Sequence, residues 1–252
     1  MSFSRVIPVL LLKGDGLVKT INFKKPTYIG DPINAVKIFN QKEVDELVLL
    51  DIEASTKNYE PRYEWIQDIV SESFMPIGYG GGIKNIEQVK KIFDLGVEKI
   101  ILNTSSQDLD LISKAASIYG SQSIVASIDV KKSLLGKKYC YFKGGKDKIK
   151  IGAVEWAKKL VESGVGEIII QSIDLEGTMK GYDIELTREV SEAVNVPVVA
   201  SGGAGNINDV EKVLKEGKAS AAAAGSIFVY KGKQKGVLIN YPTRKELDSI
   251  SV

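Results

Sequence analysis

Apolar runs recur along the chain, and between them lie longer segments whose apolar positions fall three and four apart. The first run, residues 6–12, is continuous, as in strands buried on both faces. Further runs at 47–52, 76–79, 100–102, 123–128, 167–173, 196–200 and 219–224 read as strands. Helical spacing fills the gaps, near 60–71, 86–95, 108–117, 153–162, 183–193 and 208–215, and Asp31-Pro32 opens a further helix as N-cap and first-turn proline. The polar, Lys- and Gly-rich stretch 13–30 reads as a long loop, of a length that is usually functional. Residues 137–150 read as a hairpin insertion, with Tyr139, Tyr141 and Phe142 alternating and Gly144-Gly145 as its turn. Eight strands alternating with helices predict an α/β fold, a closed (β/α)8 barrel, with an open doubly wound sheet as the alternative.

An internal repeat sharpens this picture. A shift of 121 residues places Pro76 on Pro197, Gly81 on Gly202, Gly82 on Gly203, Asn85 on Asn206, Val89 on Val210 and Gly96 on Gly217, and it also carries Glu46 onto Glu167. One register held over this distance predicts a single barrel domain over 1–252, built from half-barrels of about 1–122 and 123–229 with a tail at 230–252. Both copies of the repeat carry a glycine-rich turn between strand and helix, at 78–82 and 201–205. Glycine lets backbone N–H groups approach an anion, and the following helix start adds unpaired donors. Gly82, Asn103 and Thr104 fall at strand ends equivalent to those of Gly203, Gly225 and Ser226. Two anion sites across one mouth suit a ligand with a phosphate at each end.

Composition narrows the chemistry. With 34 basic and 32 acidic residues the net charge is only +2, which gives no sign of a nucleic-acid or membrane surface. The single cysteine, Cys140, forbids an intrachain disulfide, so a cytoplasmic setting is expected, and no apolar run has the length of a membrane span. The chain has no histidine. That removes Ser-His-Asp and Cys-His nucleophile arrangements and argues against a metal site; no cofactor is implied. Proton transfer must fall to carboxylate, lysine, tyrosine or water.

Three constellations remain. Aligning Leu12-Lys13 with Val130-Lys131 sets Asp129 opposite Leu11, so a symmetric barrel would have one carboxylate where two could share acid and base work. A lone Asp129 could equally be a loop or helix cap. Arg5, Glu46, Lys99 and Glu167 each stand just before a strand, and could either close the bottom of the barrel as a salt-bridged ring or simply be solvated; spacing alone favours solvation. In the segment 171–183, Asp174 and Thr178 could contact substrate hydroxyls or phosphate, while Asp183 reads as an N-cap. Lys13 and Lys19 could pair with a substrate anion, although exposed lysines are usually just solvated. The basic run 231–235 reads as a solvated turn.

Over residues 5–228 these features resemble the cyclase subunit of imidazole glycerol phosphate synthase. The resemblance is carried by Gly30-Asp31-Pro32, Asp45-Glu46-Leu47-Val48 with Leu50-Asp51-Ile52, Gly80-Gly81-Gly82-Ile83, Asn103-Thr104, Gly120-Ser121-Gln122, Ser172-Ile173-Asp174 with Gly177-Thr178 and Gly181-Tyr182-Asp183, and residues 200–205. It implies a (β/α)8 barrel that takes ammonia from a glutaminase at its bottom face and uses it at the top on a bis-phosphorylated ribulose intermediate. It turns Arg5, Glu46, Lys99 and Glu167 into an ammonia gate. Phosphate contacts map to Gly82, Asn103 and Thr104 at one end and Gly177, Gly203, Gly225 and Ser226 at the other. Lys19, Asp51, Asp174 and Thr178 map near substrate, and Asp129 to one catalytic aspartate.

The second catalytic aspartate maps to Leu11, which cannot move a proton. Glu176 stands where the family usually has Asp, and residues 236–242 replace the usual last helix. These departures resemble a divergent branch associated with sugar amidation in surface-polysaccharide synthesis, where the barrel conveys ammonia between a glutaminase and a separate sugar-modifying synthetase. The alternatives are a true cyclase, with Asp129 acting alone or with another loop group, and a sugar-phosphate isomerase without a glutaminase.

Overall fold

A computed structural model describes residues 5–133, 135–232, 234, 236–248 and 250. Eight parallel strands form its centre: β1 (Arg5–Lys13), β2 (Leu47–Asp51), β3 (Ile77–Gly80), β4 (Lys99–Leu102), β5 (Ile124–Lys132), β6 (Glu167–Ser172), β7 (Val198–Ser201) and β8 (Ala221–Ala224). Each pairs with the next, β8 pairs with β1, and β5 pairs with β6, so the sheet closes. Between them run α1 (Pro32–Gln41), α2 (Tyr63–Ser71), α3 (Ile86–Asp94), α4 (Leu109–Tyr119), α5 (Ala153–Glu162), α6 (Ile184–Ser191) and α7 (Ile207–Lys215), with the single turn α8 (Ser226–Val229) after β8. This is the (β/α)8 barrel.

The continuous apolar runs follow from burial on both faces of the strands. Outward-facing Val6, Leu10, Leu12, Leu47, Leu49, Ile168 and Ile170 pack with helix residues such as Val36, Phe39, Ile92 and Leu160 in one large core. The alternate positions fill the barrel interior: Ile7, Val9, Leu11, Val48, Ile101, Val125, Ile169, Val199, Ala221 and Ala223. Helix starts follow local chemistry. The side chains of Asp31, Asn85, Asp108, Asp183 and Asn206 accept hydrogen bonds from backbone N–H groups in the first turns of α1, α3, α4, α6 and α7.

Residues 13–30 are not a loop. Strands Gly16–Ile21 and Lys24–Gly30 form an antiparallel hairpin that continues from β1, with Leu11 opposite Val18. The turn is made by Asn22 and Phe23, both at positive φ (51° and 61°). That geometry matches strand twist in two-residue hairpins, but it ordinarily announces itself as Asn-Gly. The polar stretch after Ile52 also contains a helical turn, Ala54–Lys57.

The insertion does form a hairpin, Lys138–Phe142 with Asp147–Lys148, continuing from β5. Thus β1 and β5 each run on into an antiparallel hairpin. Their registers correspond: Leu11 lies beside Leu50 and Asp129 beside Gln171. In the tail, Tyr230–Lys231 pairs with Gly236–Val237, and Arg244–Asp248 forms a short helix. Of the basic run 231–235, Lys233 and Lys235 lie outside the described residues.

Candidate functional site at the barrel mouth

At the C-terminal ends of the strands lies a cavity of about 350 Å³. Its floor is the apolar interior, through Val9, Leu11, Val48, Ile101 and Ile169; its walls include Lys19, Thr20, Asp51, Gly82, Asn103, Thr104, Ser127, Asp129, Gln171, Glu176, Ser201 and Gly225. The fold therefore brings together Lys19, Asp51, Gly82, Asn103, Thr104, Asp129 and Gly225. It does not bring Asp174, Thr178, Gly177, Gly203 or Ser226 to this wall. The Thr178 hydroxyl donates to the Leu175 carbonyl at 2.7 Å, and an Asp174 carboxylate oxygen accepts from Lys132 N–H at 2.8 Å. Both are held by local structure.

Asp129 is 7 % exposed, and its polar neighbour is Ser127, whose hydroxyl donates to Oδ1 at 3.4 Å. It caps no helix. Burial pushes its carboxyl up to about 7; the Ser127 hydrogen bond opposes the shift and the charge of Glu176 adds to it. Leu11 shares the cavity with it and supplies no polar atom.

Lys19 is not a solvated lysine. It is 4 % exposed, and its ammonium pairs with Glu176 at 3.0 Å. Glu176 also accepts from Gln171 Nε2 at 3.3 Å. Both lie where the N-terminal hairpin meets the loop after β6. Asn22 fastens the same junction, donating through Nδ2 to the Ile173 and Asp174 carbonyls at 3.1 and 2.6 Å and through its backbone N–H to the Glu176 carbonyl at 2.9 Å.

Asp51 holds local structure as well. Its Oδ1 accepts from the N–H groups of Glu53 and Ala54 at 3.0 and 3.1 Å and from Tyr59 Oη at 2.9 Å, with Arg62 Nε 4.0 Å from Oδ2. Burial, and then the bond to Asp51, raises the Tyr59 phenol above its ordinary range. Asn103 Nδ2 donates to the Ser127 carbonyl at 3.0 Å, and Thr104 Oγ1 accepts from Lys143 N–H at 3.0 Å, which ties the central hairpin to the rim. Among the described residues no group of three or more His, Cys, Asp or Glu is placed to hold a metal ion, and no helix is long and apolar enough to cross a membrane.

Sequence reasoning did not single out Thr20, Gln171 or Ser201 as wall residues. The repeat held the signal for Gln171, which lies 121 positions after Leu50 and beside Asp129 in the sheet.

The opposite end of the barrel carries a closed ring of charge. Lys99 Nζ lies 2.8 Å from both Glu46 and Glu167, and Arg5 bonds Glu46 at 2.8 Å and also Glu167. The two glutamates are 6 % and 5 % exposed, so these four residues are not merely solvated. Burial alone would raise Glu167; hydrogen bonds from Arg5 and Lys99, and their charges, outweigh it and hold the carboxyl below its ordinary value.

A family profile described as "Histidine biosynthesis protein" matches residues 5–235. A Pseudomonas aeruginosa protein provisionally named imidazole glycerol phosphate synthase subunit hisF2 is 53 % identical over 245 residues, covering 97 % of this chain and 98 % of its own. A Vibrio vulnificus protein, provisionally subunit hisF3, is 49 % identical over 245 residues, 96 % of this chain and 94 % of its own. The imidazole glycerol phosphate synthase subunit HisF of Alkaliphilus metalliredigens is 38 % identical over 234 residues, 91 % of this chain and 92 % of its own.

Proposed function

The chain belongs to the HisF family of histidine-biosynthesis barrels, and from that premise we propose that it is the barrel subunit of a glutamine-dependent amidotransferase. It takes ammonia from a glutaminase docked on its N-terminal face and conveys it through the barrel to the mouth, for amidation of a sugar in surface-polysaccharide synthesis by a separate synthetase. The observation that carries this reading is Leu11. It lies in the cavity floor at the position equivalent to Asp129, so the mouth lacks half of a paired acid–base site. Losing one such group costs ~10²–10⁴ in rate. What supports conveyance is a charge ring below and an apolar interior above it from Ile7 to Leu11. Passage between apolar side chains favours neutral ammonia over ammonium, whose charge would be desolvated.

Cyclase chemistry is the second reading, favoured by one observation: Asp129 remains, in a buried setting that pushes its carboxyl up to about 7. The two readings separate on supply of the bis-phosphorylated ribulose intermediate with exogenous ammonium. The proposal expects turnover at least 10²-fold below that of an authentic cyclase; comparable rates sink it. Mixing with a glutaminase expressed from the same locus is expected to stimulate glutamine hydrolysis, and Lys99→Ala or Glu167→Ala to weaken the transfer of ammonia to the mouth. An absence of any stimulation would remove the amidotransferase reading altogether.

A further inference from the structure

The charge of this chain is unevenly placed. Residues 131–150 hold eight lysines and one acidic residue, Asp147. The whole chain has 34 basic and 32 acidic residues, so everything outside this stretch is net negative. Most of the stretch is the central hairpin, which continues from β5 at the rim of the mouth.

Its lysines fall into two groups. Lys138 pairs with Asp183 and Glu185 at 3.3 and 3.1 Å, Lys143 with Asp147 at 2.8 Å, and Lys148 lies over the Tyr139 ring at 3.7 Å. The Lys132 N–H donates to the Asp174 carboxylate and the Lys143 N–H to Thr104 Oγ1, so the hairpin is fastened to the rim. Lys137, Lys146 and Lys150 form the second group. They are exposed and have no acidic partner among the described residues. Lys146 also lines the mouth cavity. Beside it, a Cβ on Gly145 would come within 3.3 Å of the Phe23 ring, so the two hairpins meet there. Lys24 and Lys25, which follow Phe23, are exposed and likewise without an acidic partner among the described residues. The same stretches expose apolar side chains. Leu135, 89 % exposed, stands in the turn closed by the Ser133 N–H and the Lys137 carbonyl, and Ile21, 44 % exposed, lies opposite Lys24.

We propose that this hairpin surface docks an acidic face of the synthetase that consumes the ammonia, with Leu135 as an apolar contact. The inference rests on the proposed function for the existence of that synthetase, and adds where it sits and by what chemistry. Ammonia leaving the mouth enters bulk water unless a partner covers the exit, and Lys146, Lys24 and Lys25 stand at that exit. Clustered lysines without counter-charges set up a positive potential that steers and orients an acidic partner. A protein face of matching size meets only this patch. Duplex DNA or an anionic bilayer would extend over the net-negative remainder of the chain and be repelled by it.

Biolayer interferometry of the full chain against a sugar-amidating synthetase expressed from the same locus tests the proposal. Affinity is expected to fall as salt is raised. The double reversal Lys137→Glu with Lys150→Glu is expected to weaken binding about tenfold, and Leu135→Ser severalfold, with melting temperatures unchanged. Lys114→Glu, the same charge change at an exposed position of α4, should leave it alone. All these variants are expected to stimulate the glutaminase as the parent does, because that contact lies on the opposite face. Equal affinity of parent and double variant overturns the inference, as does an equal loss from Lys114→Glu. So does tighter binding of duplex DNA or phosphatidylglycerol vesicles than of the synthetase. A synthetase that does not bind, while the glutaminase is stimulated, overturns the docking surface and leaves the amidotransferase reading standing. A parent that stimulates no glutaminase removes that reading, whatever the hairpins bind.

Discussion

At the residue scale, Asp129 shows how position outweighs identity. A strand-end aspartate could have been a cap, but the register of β5 with β6 turns it toward the barrel mouth, beside Gln171 and away from any helix start. There burial raises its carboxyl from an ordinary 3.8 to about 7. Between those values the folded state holds a proton that the unfolded state has released, so this group's contribution falls as pH rises through that window and stays low above it. Asp129→Asn removes the cost of ionising the buried carboxyl. The variant is expected to gain stability over the parent by about 4 kcal/mol at pH 8 and by much less at pH 4. Urea unfolding of both proteins at the two pH values checks it, and an equal difference at each would show that burial does not control this carboxyl. Lys19 makes the same point about legibility. Sequence places it in a Lys-rich segment, where solvation is the default, and only Glu176, 157 residues away, explains an ammonium that is 4 % exposed.

At the scale of elements, the strands and helices were legible because period and capping chemistry are local. The β-strand runs and the Asp31-Pro32 start stand in the fold as helix and strand physics dictates, and Asn85 and Asn206, matched by the repeat, cap α3 and α7. The N-terminal hairpin was not legible. Its residues lack clean alternation, its turn uses Asn22-Phe23 without glycine, and its inner strand is buried by contacts distant in sequence, Leu17 in the large core, Val18 in the barrel interior and the loop after β6 over its end. Asn22 is the residue that joins the two. It tolerates positive φ better than most residues and donates to the Ile173 and Asp174 carbonyls. Asn22→Ala is expected to cost about 1–2 kcal/mol. The loss should appear as faster amide exchange across residues 16–30 while the barrel strands keep their protection. Uniformly faster exchange throughout the barrel would show that the hairpin is not a separable unit.

At the scale of the whole molecule, the two ends of the barrel differ in chemistry, a ring of ion pairs at the bottom and a cavity with an apolar floor at the mouth. The bottom ring couples residues up to 162 positions apart and holds two nearly buried glutamates between Arg5 and Lys99. Removing one cation leaves the carboxylates facing each other with half their compensation. Lys99→Met is therefore expected to destabilise the protein by about 3 kcal/mol near neutral pH. Because Glu167 titrates below its ordinary value, the parent's advantage is present above the unfolded-state pKa and is lost as pH falls through the folded one. Thermal unfolding of parent and variant from pH 8 to pH 3 follows that convergence, and a difference that persisted unchanged into acid would mean the ring's charges are not what stabilises it.

The sequence by itself determined the barrel and its internal symmetry. Buried parallel strands need continuous apolar runs, helices need their period and caps, and both signals lie within a few residues of one another. It also set Leu11 opposite Asp129, since the alignment of strands one and five, Leu12-Lys13 on Val130-Lys131, is a property of the chain alone. The tertiary structure decided which charges are paired and which distant segments pack together. Arg5 to Glu167, Lys19 to Glu176, and Gly177 against the Thr20 carbonyl are each contacts between segments far apart in sequence. Spacing along the chain cannot specify such contacts, because the closure of the barrel and the folding of the hairpin over its mouth create them.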